Sequence, residues 1–236
     1  MITMALMALL TIPSYRHVSK KKSAPHSTPP YGEAHAKLYD ALYDSSEKTR
    51  FELSVIEEGH VLDVGCGVGH LVGNLPSAVG LDASAHMISE AKKRYPDRTF
   101  KVGNATDLSL FQKESFSTVA CVGYTLYYMP EKLAFFENAY QWLEPEGFMV
   151  VQLSNERMKL CPHRKNFKHK GQHVGNVWRE QLEFNGSILH SEHVFYYESM
   201  ATITELAERT GFKLQAKTPY PHDPAQFLAV FQKRAF

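Results

Sequence analysis

A chain of 236 residues, 44% hydrophobic and 22% charged, has enough apolar material to bury one sizeable core. A formal net charge of +1 excludes a molecule that works through bulk charge, such as a basic nucleic-acid coat or an acidic tail. The cysteines Cys66, Cys121 and Cys161 are odd in number and far apart, which excludes a disulfide framework and suits a reducing, cytoplasmic setting.

Residues 1–32 differ from the rest. MITMALMALLTI is too short to span a bilayer, and its flanks do not fit a secretory signal. The basic, Pro- and Ser-rich stretch after it cannot build a core, so 1–32 is expected to be a flexible leader, with a membrane-surface anchor as the other reading. The domain proper is then 33–236. AHAKLYDALYDSSEKTRFEL reads as one or two helices, HVLDVG as a buried strand, and HLVGNLP as a short helix stopped by Pro76. SAVGLDAS gives a second strand ending at Asp82, and AHMISEAKKRYP a helix ended by Pro96. TFKVGNA and FSTVACVGY are the third and fourth strands, EKLAFFENAYQWLEPEG a helix ending near Gly147, and FMVVQLS the fifth strand.

After the fifth strand the rhythm changes. NVWREQLEF and SILHSEHVFYY flank Asn185-Gly186, a hairpin signal because both central residues of that turn need positive φ. This sets an inserted hairpin at 174–197. MATITELAERTGF is the last helix, with Gly211 past its end, and KLQAKTPY and FLAVFQK close the chain as strands. The expected fold is α/β: a doubly wound, mostly parallel, seven-stranded sheet with a β-hairpin inserted between strand 5 and the last helix.

The chemistry concentrates at 61–71, VLDVGCGVGHL. Glycines after the first strand of such a sheet bring the backbone close to a ligand. The dinucleotide pattern G-x-G-x-x-G is not met: Gly65 and Gly67 fit, but the third position is His70, and the glycine stands one place early at Gly69. Asp63 would also repel a pyrophosphate and suits a cationic ligand. Asp82, 17 residues after Gly65, can grip both hydroxyls of a ribose or merely start a helix, a task Ser84 can also perform.

Asp63-x-Gly65-x-Gly67-x-Gly69, then Asp82, then GNATDL (103–108) and LEPEG (143–147), resembles the class I S-adenosylmethionine-dependent methyltransferases, over roughly residues 35–153. The resemblance implies S-adenosyl-L-methionine as cofactor. It would be held by Asp63, Gly65, Cys66, Gly67 and Gly69 under the methionine part, Asp82 and Ala83 at the ribose, Met87, Asn104 and Ala105 around the adenine, and Val122 at the fourth strand end. Asn104 stands where an acid is common, and LEPEG departs from the family's L-x-P-G-G.

The acceptor should lie at the end of the fourth strand, CVGYTLYYMP (121–130). Asn/Asp-Pro-Pro-aromatic, frequent there in members that methylate nucleic acid or protein, is missing. An aromatic face near a sulfonium or an amine attracts it, which makes Tyr127 a catalytic candidate and Tyr124 and Tyr128 substrate-binding candidates. Tyr39, on a leading helix whose Tyr-Asp pairs resemble those of amino-sugar and glycine-type N-methyltransferases, is a candidate lid contact. His190 and His193 are three apart on a strand, so one of them at most faces the acceptor; His193 is the candidate base. The basic segment 158–173 spaces Cys161, His163, His169 and His173 in no recognisable ligand frame, so no metal is expected. The sequence thus reads as a methyltransferase acting on nitrogen or oxygen of a small-molecule substrate, monomeric or dimeric through the hairpin, without a transmembrane span and with nucleic acid an unlikely partner. An RNA or cap methyltransferase and a non-catalytic S-adenosylmethionine-binding module are the alternatives.

Overall fold

A computed structural model describes residues 31–42, 46–157, 168–184 and 187–235. The leader 1–30, Cys161, His163 and the Asn185-Gly186 turn lie outside the described residues.

The chain opens with α1 (Glu33–Leu42) and α2 (Ser46–Val55), then alternates: β1 (Val61–Val64), α3 (His70–Asn74), β2 (Val79–Asp82), α4 (Ala85–Arg94), β3 (Thr99–Val102), β4 (Phe116–Cys121), α5 (Lys132–Trp142) and β5 (Leu143–Ser154). Next come β6 (Lys168–Val174), β7 (Val177–Phe184) and β8 (Ser187–Val194), then α6 (Met200–Arg209), β9 (Phe212–Tyr220) and β10 (Asp223–Lys233). The main sheet runs β3-β2-β1-β4-β5-β10-β9. Its first five strands pair in parallel, while β10 is antiparallel to both neighbours. The expected seven-stranded, mostly parallel sheet is the one observed.

β1 is buried along its whole length, as a central parallel strand flanked by helices must be. One side of the sheet is filled by Phe116, Phe135, Trp142 and Phe231, and the other by Leu71, Val72, Ile88 and Leu228. Two boundaries differ from the sequence reading. Helix α5 ends at Trp142, because Leu143 already pairs with Phe116 of β4. The LEPEG stretch is a bulge inside β5, with Glu146 at φ 64° and a register shift before Thr118 pairs with Phe148.

The second difference is larger. Residues 168–173 of the basic segment, with Val174, form the strand β6, so the insertion is a three-stranded antiparallel sheet, β6-β7-β8. Phe184 pairs with Ser187 across the Asn185-Gly186 position. Gly171 of β6 lies opposite Glu180 of β7. A Cβ there would sit 2.1 Å from the Trp178 ring, so the missing side chain lets the indole lie across the strand.

Candidate functional site

The turn after β1 is built by two strands at once. The amides of Gly65 and Cys66 both donate to the Leu81 carbonyl of β2, at 2.7 and 3.0 Å. Gly65, Gly67 and Gly69 all have positive φ, at 75°, 54° and 87°. Gly65 is needed for packing: a Cβ would lie 2.2 Å from the Thr125 hydroxyl in the turn after β4. Gly67 differs, since a Cβ there would meet nothing within 4 Å and would only fill the cradle the turn encloses.

Two acids frame that cradle. Asp63 is 2% exposed, and its Oδ1 has no hydrogen-bond partner. Burial, with Glu52 and Asp82 nearby, holds its carboxyl well above the usual range. A buried, partnerless carboxylate oxygen beside an open backbone cradle is a site for a cationic group. Asp82 accepts from the Gly67 amide through Oδ2 at 2.9 Å and from the Ser84 amide through Oδ1 at 2.8 Å. Burial raises its pKa and the two amides partly oppose this. Each oxygen keeps a lone pair for a hydroxyl. Ser84, not Asp82, caps α4, accepting from Met87 N.

The other residues expected to surround this ligand spread round the same turn. Cys66 and Val122 are buried at the two strand ends, with the Cys66 thiol pushed up by burial. Ala83 is exposed, and Met87 is buried with Ala36 and Val68. Asn104 is exposed and its Oδ1 accepts from the Thr106 amide. The Ala105 carbonyl is taken by Asn138 Nδ2. Helix α1 closes over the top: Ala36 packs on Val68 and Met87, with Tyr31 and Tyr39 against the same cluster.

The turn after β4 is strained and braced. Gly123 and Tyr124 are both left-handed, at φ 64° and 63°, a costly conformation for a bulky residue. The Gly123 amide donates to Oε1 of the wholly buried Gln152, whose Nε2 donates to Gln226. Tyr124 stays half-buried, with the Lys48 ammonium 5.4 Å from its ring centroid.

Tyr127 and Tyr128 part company here. Tyr127 is 2% exposed, and its hydroxyl accepts from Ser154 N at 2.9 Å and donates to Ser154 O at 3.4 Å. Its ring packs on Tyr197 in the core. Its donor is spent on backbone, so the catalytic expectation for Tyr127 has no geometry behind it. Tyr128 turns the other way, its hydroxyl 3.1 Å from His193 Nδ1 and 3.2 Å from the Tyr31 hydroxyl. Tyr31 is in turn fixed by its carbonyl, which accepts from Ser84 Oγ at 2.7 Å.

His193 of β8 is wholly buried, and His190 is exposed, as strand alternation requires. Its Nε2 lies 3.1 Å from Oε1 of Glu180, which also accepts from Ser191 Oγ at 2.8 Å. Oε2 of Glu180 accepts from His169 Nε2 at 3.1 Å and Trp178 Nε1 at 3.2 Å. Burial alone would raise the Glu180 carboxyl, but hydrogen bonds from His193 and Ser191, with the His35 imidazole 3.9 Å away, outweigh it and hold it well below the usual range. Glu180, Tyr31 and His35 went unnoticed in the sequence. Glu180 had left a trace there: it alternates with Trp178 and Leu182 on the buried face of β7, an acid on an apolar stripe.

His35, Glu180 and His193 also bring one ligand atom each within 4.8 Å of one another. Four donors already occupy both Glu180 oxygens, so an ion there would have to displace them, and the set fits poorly as a metal centre.

Residues 61–147 match the family model described as a methyltransferase domain. Over 138 residues the chain is 33% identical to the dTDP-3-amino-3,4,6-trideoxy-alpha-D-glucopyranose N,N-dimethyltransferase of Streptomyces venezuelae, covering 52% of this chain and 58% of that protein. It is 22% identical over 206 residues to the trans-aconitate 2-methyltransferase of Afipia carboxidovorans, covering 77% of this chain and 79% of the relative. The CcbJ methyltransferase from Streptomyces caelestis superposes with a TM-score of 0.70 at 18% identity, over 88% of this chain and 99% of that one. The chain thus spans little more than half the length of the first relative and shares the fold of solved methyltransferases across most of its own. Residues 61–147 match the methyltransferase-domain model, and the seven-stranded sheet that carries them has the fold of solved methyltransferases.

Proposed function

We propose that the protein transfers a methyl group from S-adenosylmethionine to a nitrogen or oxygen of a small-molecule acceptor. The observation that carries this is the Asp63 carboxylate, buried and with one oxygen partnerless, beside the open face of Gly67. An α-ammonium satisfies that oxygen, and Asp82 supplies the acceptors for a ribose. When bound, the sulfonium supplies an activated methyl group, so the protein's task is to position the acceptor and keep water out. The aromatic roof of Tyr31, Tyr39 and Tyr128 does both.

The matched relatives act on amino sugars and on trans-aconitate. The described walls above the turn favour an acceptor that must shed a proton. They offer hydroxyls, imidazoles and a carboxylate, rather than the arginines that would hold a tricarboxylate. Among the described residues no helix is long and apolar enough to cross a membrane.

A panel of small amines, amino sugars and phenols offered with labelled cofactor, and scored by methylated product, tests the reading. Product is expected from an amine or hydroxyl acceptor. The companion measurement is calorimetry with S-adenosylhomocysteine, in which Asp82→Ala is expected to weaken binding by about 1–3 kcal/mol through loss of charge-assisted hydrogen bonds. Wild-type protein that releases no heat with this compound would end the proposal.

A further inference from the structure

Resting on that reading, we propose that Tyr31, Tyr128, His193 and Glu180 form a proton relay that carries the acceptor's proton out of the active site into the inserted sheet. The polarity of the chain follows from chemistry. Glu180 is held ionised and can only accept, so His193 Nε2 carries a hydrogen and donates to it. In the neutral ring Nδ1 is then bare and accepts from the Tyr128 hydroxyl at 3.1 Å. That uses the only hydrogen on Tyr128, whose oxygen accepts in turn from Tyr31 at 3.2 Å. Every donor points away from the mouth. The lone pairs of Tyr31 are what remain at the outer end, on a residue whose backbone is tied to Ser84, next to Asp82.

The step balances. An acceptor ammonium loses one hydrogen to the Tyr31 oxygen as Tyr31 passes its own to Tyr128 and Tyr128 passes its own to His193 Nδ1. Three N–H or O–H bonds break and three form, leaving an imidazolium opposite the Glu180 carboxylate. The lone pair so freed takes the methyl group, and the electron pair of the broken carbon–sulfur bond returns to sulfur. After product leaves, the proton on the buried His193 returns through Tyr128 and Tyr31 to water at the mouth, each hydroxyl again exchanging one hydrogen.

The groups facing His193 come from every element around it. Tyr31 precedes α1, and His35 on α1 has its ring 6.0 Å away with a buried Nε2 lacking a hydrogen-bond partner. Tyr128 comes from the turn after β4. Glu180 and Trp178 lie on β7, Ser191 on β8, and His169 of β6 meets the far oxygen of Glu180. Phe195 stacks on the imidazole at 9° and fixes its plane. Glu180 is the only carboxylate among these described neighbours, and it lies where an imidazolium forms.

In this scheme Tyr31 touches the acceptor, while Tyr128, His193 and Glu180 act through it. Nitrogen NMR of His193, in the ligand-free protein and with S-adenosylhomocysteine, needs no acceptor. At alkaline pH a single Nε2–H tautomer is expected, with the Nδ1 resonance displaced in Tyr128→Phe and tautomers mixed in Glu180→Gln. With the amine that gives product in the panel, Tyr31→Phe should lower kcat at least about tenfold, the low end of general-base effects, and displace the acid limb of the kcat–pH profile. Its KM for S-adenosylmethionine should stay within about twofold. An Nδ1–H tautomer in the wild type overturns the relay, as does a Tyr31→Phe protein with unchanged kcat and pH profile. Absence of heat with S-adenosylhomocysteine overturns the function instead, and the tautomer still decides the relay. Tyr31 is half-buried and outside the carboxylate network, so its variant stays informative if Glu180→Gln fails to fold.

Discussion

Tyr127 and Tyr128 are adjacent in sequence and bonded to different parts of the chain. From the sequence the better candidate was Tyr127, because both tyrosines followed the fourth strand and nothing local told them apart. The difference lies in partners far along the chain: Ser154 for Tyr127, His193 and Tyr31 for Tyr128. Tyr127→Phe is therefore expected to act on stability. It strands the half-buried Ser154 amide, which costs about 1 kcal/mol, while affinity for S-adenosylhomocysteine holds. A denaturant titration beside calorimetry checks both halves, and lost affinity at unchanged stability would reinstate Tyr127 in the site. Asp63, Asp82 and the glycines were legible for the opposite reason, since their spacing is set within one strand–turn–strand unit. Glu180 was not, because the groups that make it meaningful come from α1, β6 and β8.

The same division holds among the elements. Buried strands ended by acids, and helices stopped by Pro76 or Pro96, were readable because their signals are local. Strand β6 was missed because HKGQHV carries no apolar alternation; its place comes from pairing with β7, and Gly171 serves the Trp178 ring rather than the strand. The end of α5 was misplaced because Leu143 answers to Phe116 across the sheet. The turn after β1 shows how one element divides its labour, and it yields a paired prediction. Gly65→Ala puts a Cβ at φ +75° among the Thr125 atoms, and should cost about 2–4 kcal/mol of stability through strain and overpacking. Gly67→Ala meets no protein atom, so it should cost only the backbone strain of about 1–2 kcal/mol while cutting cofactor affinity more than tenfold. Thermal melts and calorimetry on both variants separate the effects. Equal affinity losses would show that the cradle does not open at Gly67.

Across the whole molecule, the carboxyls of Glu52, Asp63 and Asp82 are all raised by burial. They sit on α2 and at the ends of β1 and β2, so their protonation is felt by the entire domain. A carboxyl raised on folding holds its proton more tightly in the native state. Its contribution is full below the unfolded pKa, near 4, and is lost as pH rises through the folded value. Glu180 runs the other way, lowered on folding, so its contribution is complete above the unfolded value and fades only toward acid. Lys132 is buried where its ammonium donates to the Met129 and Tyr196 carbonyls, and burial depresses it to about 8, so its contribution to stability grows only above that pH. Above the unfolded carboxylate value near 4, and below the value of about 8 at which Lys132 begins to contribute, the three raised acids set the trend among these groups, and the ligand-free protein should lose stability as pH rises. A melting curve series checks this against its own controls. The wild-type midpoint should fall across the interval, at about 2–4 °C for each kcal/mol in a chain of this size. Glu52→Gln should flatten the fall, because the amide still accepts from the Tyr220 hydroxyl without carrying a charge. Asp63→Asn should flatten it too, yet weaken S-adenosylhomocysteine by about 10- to 100-fold, since the buried charge that burdens the free protein is the one that meets the ammonium. Saturating ligand should remove the slope in the wild type and leave Asp63→Asn nearly unmoved. Parallel slopes in all three proteins would place the pH dependence elsewhere, and with it the claim that the domain stores an unpaired charge for its ligand.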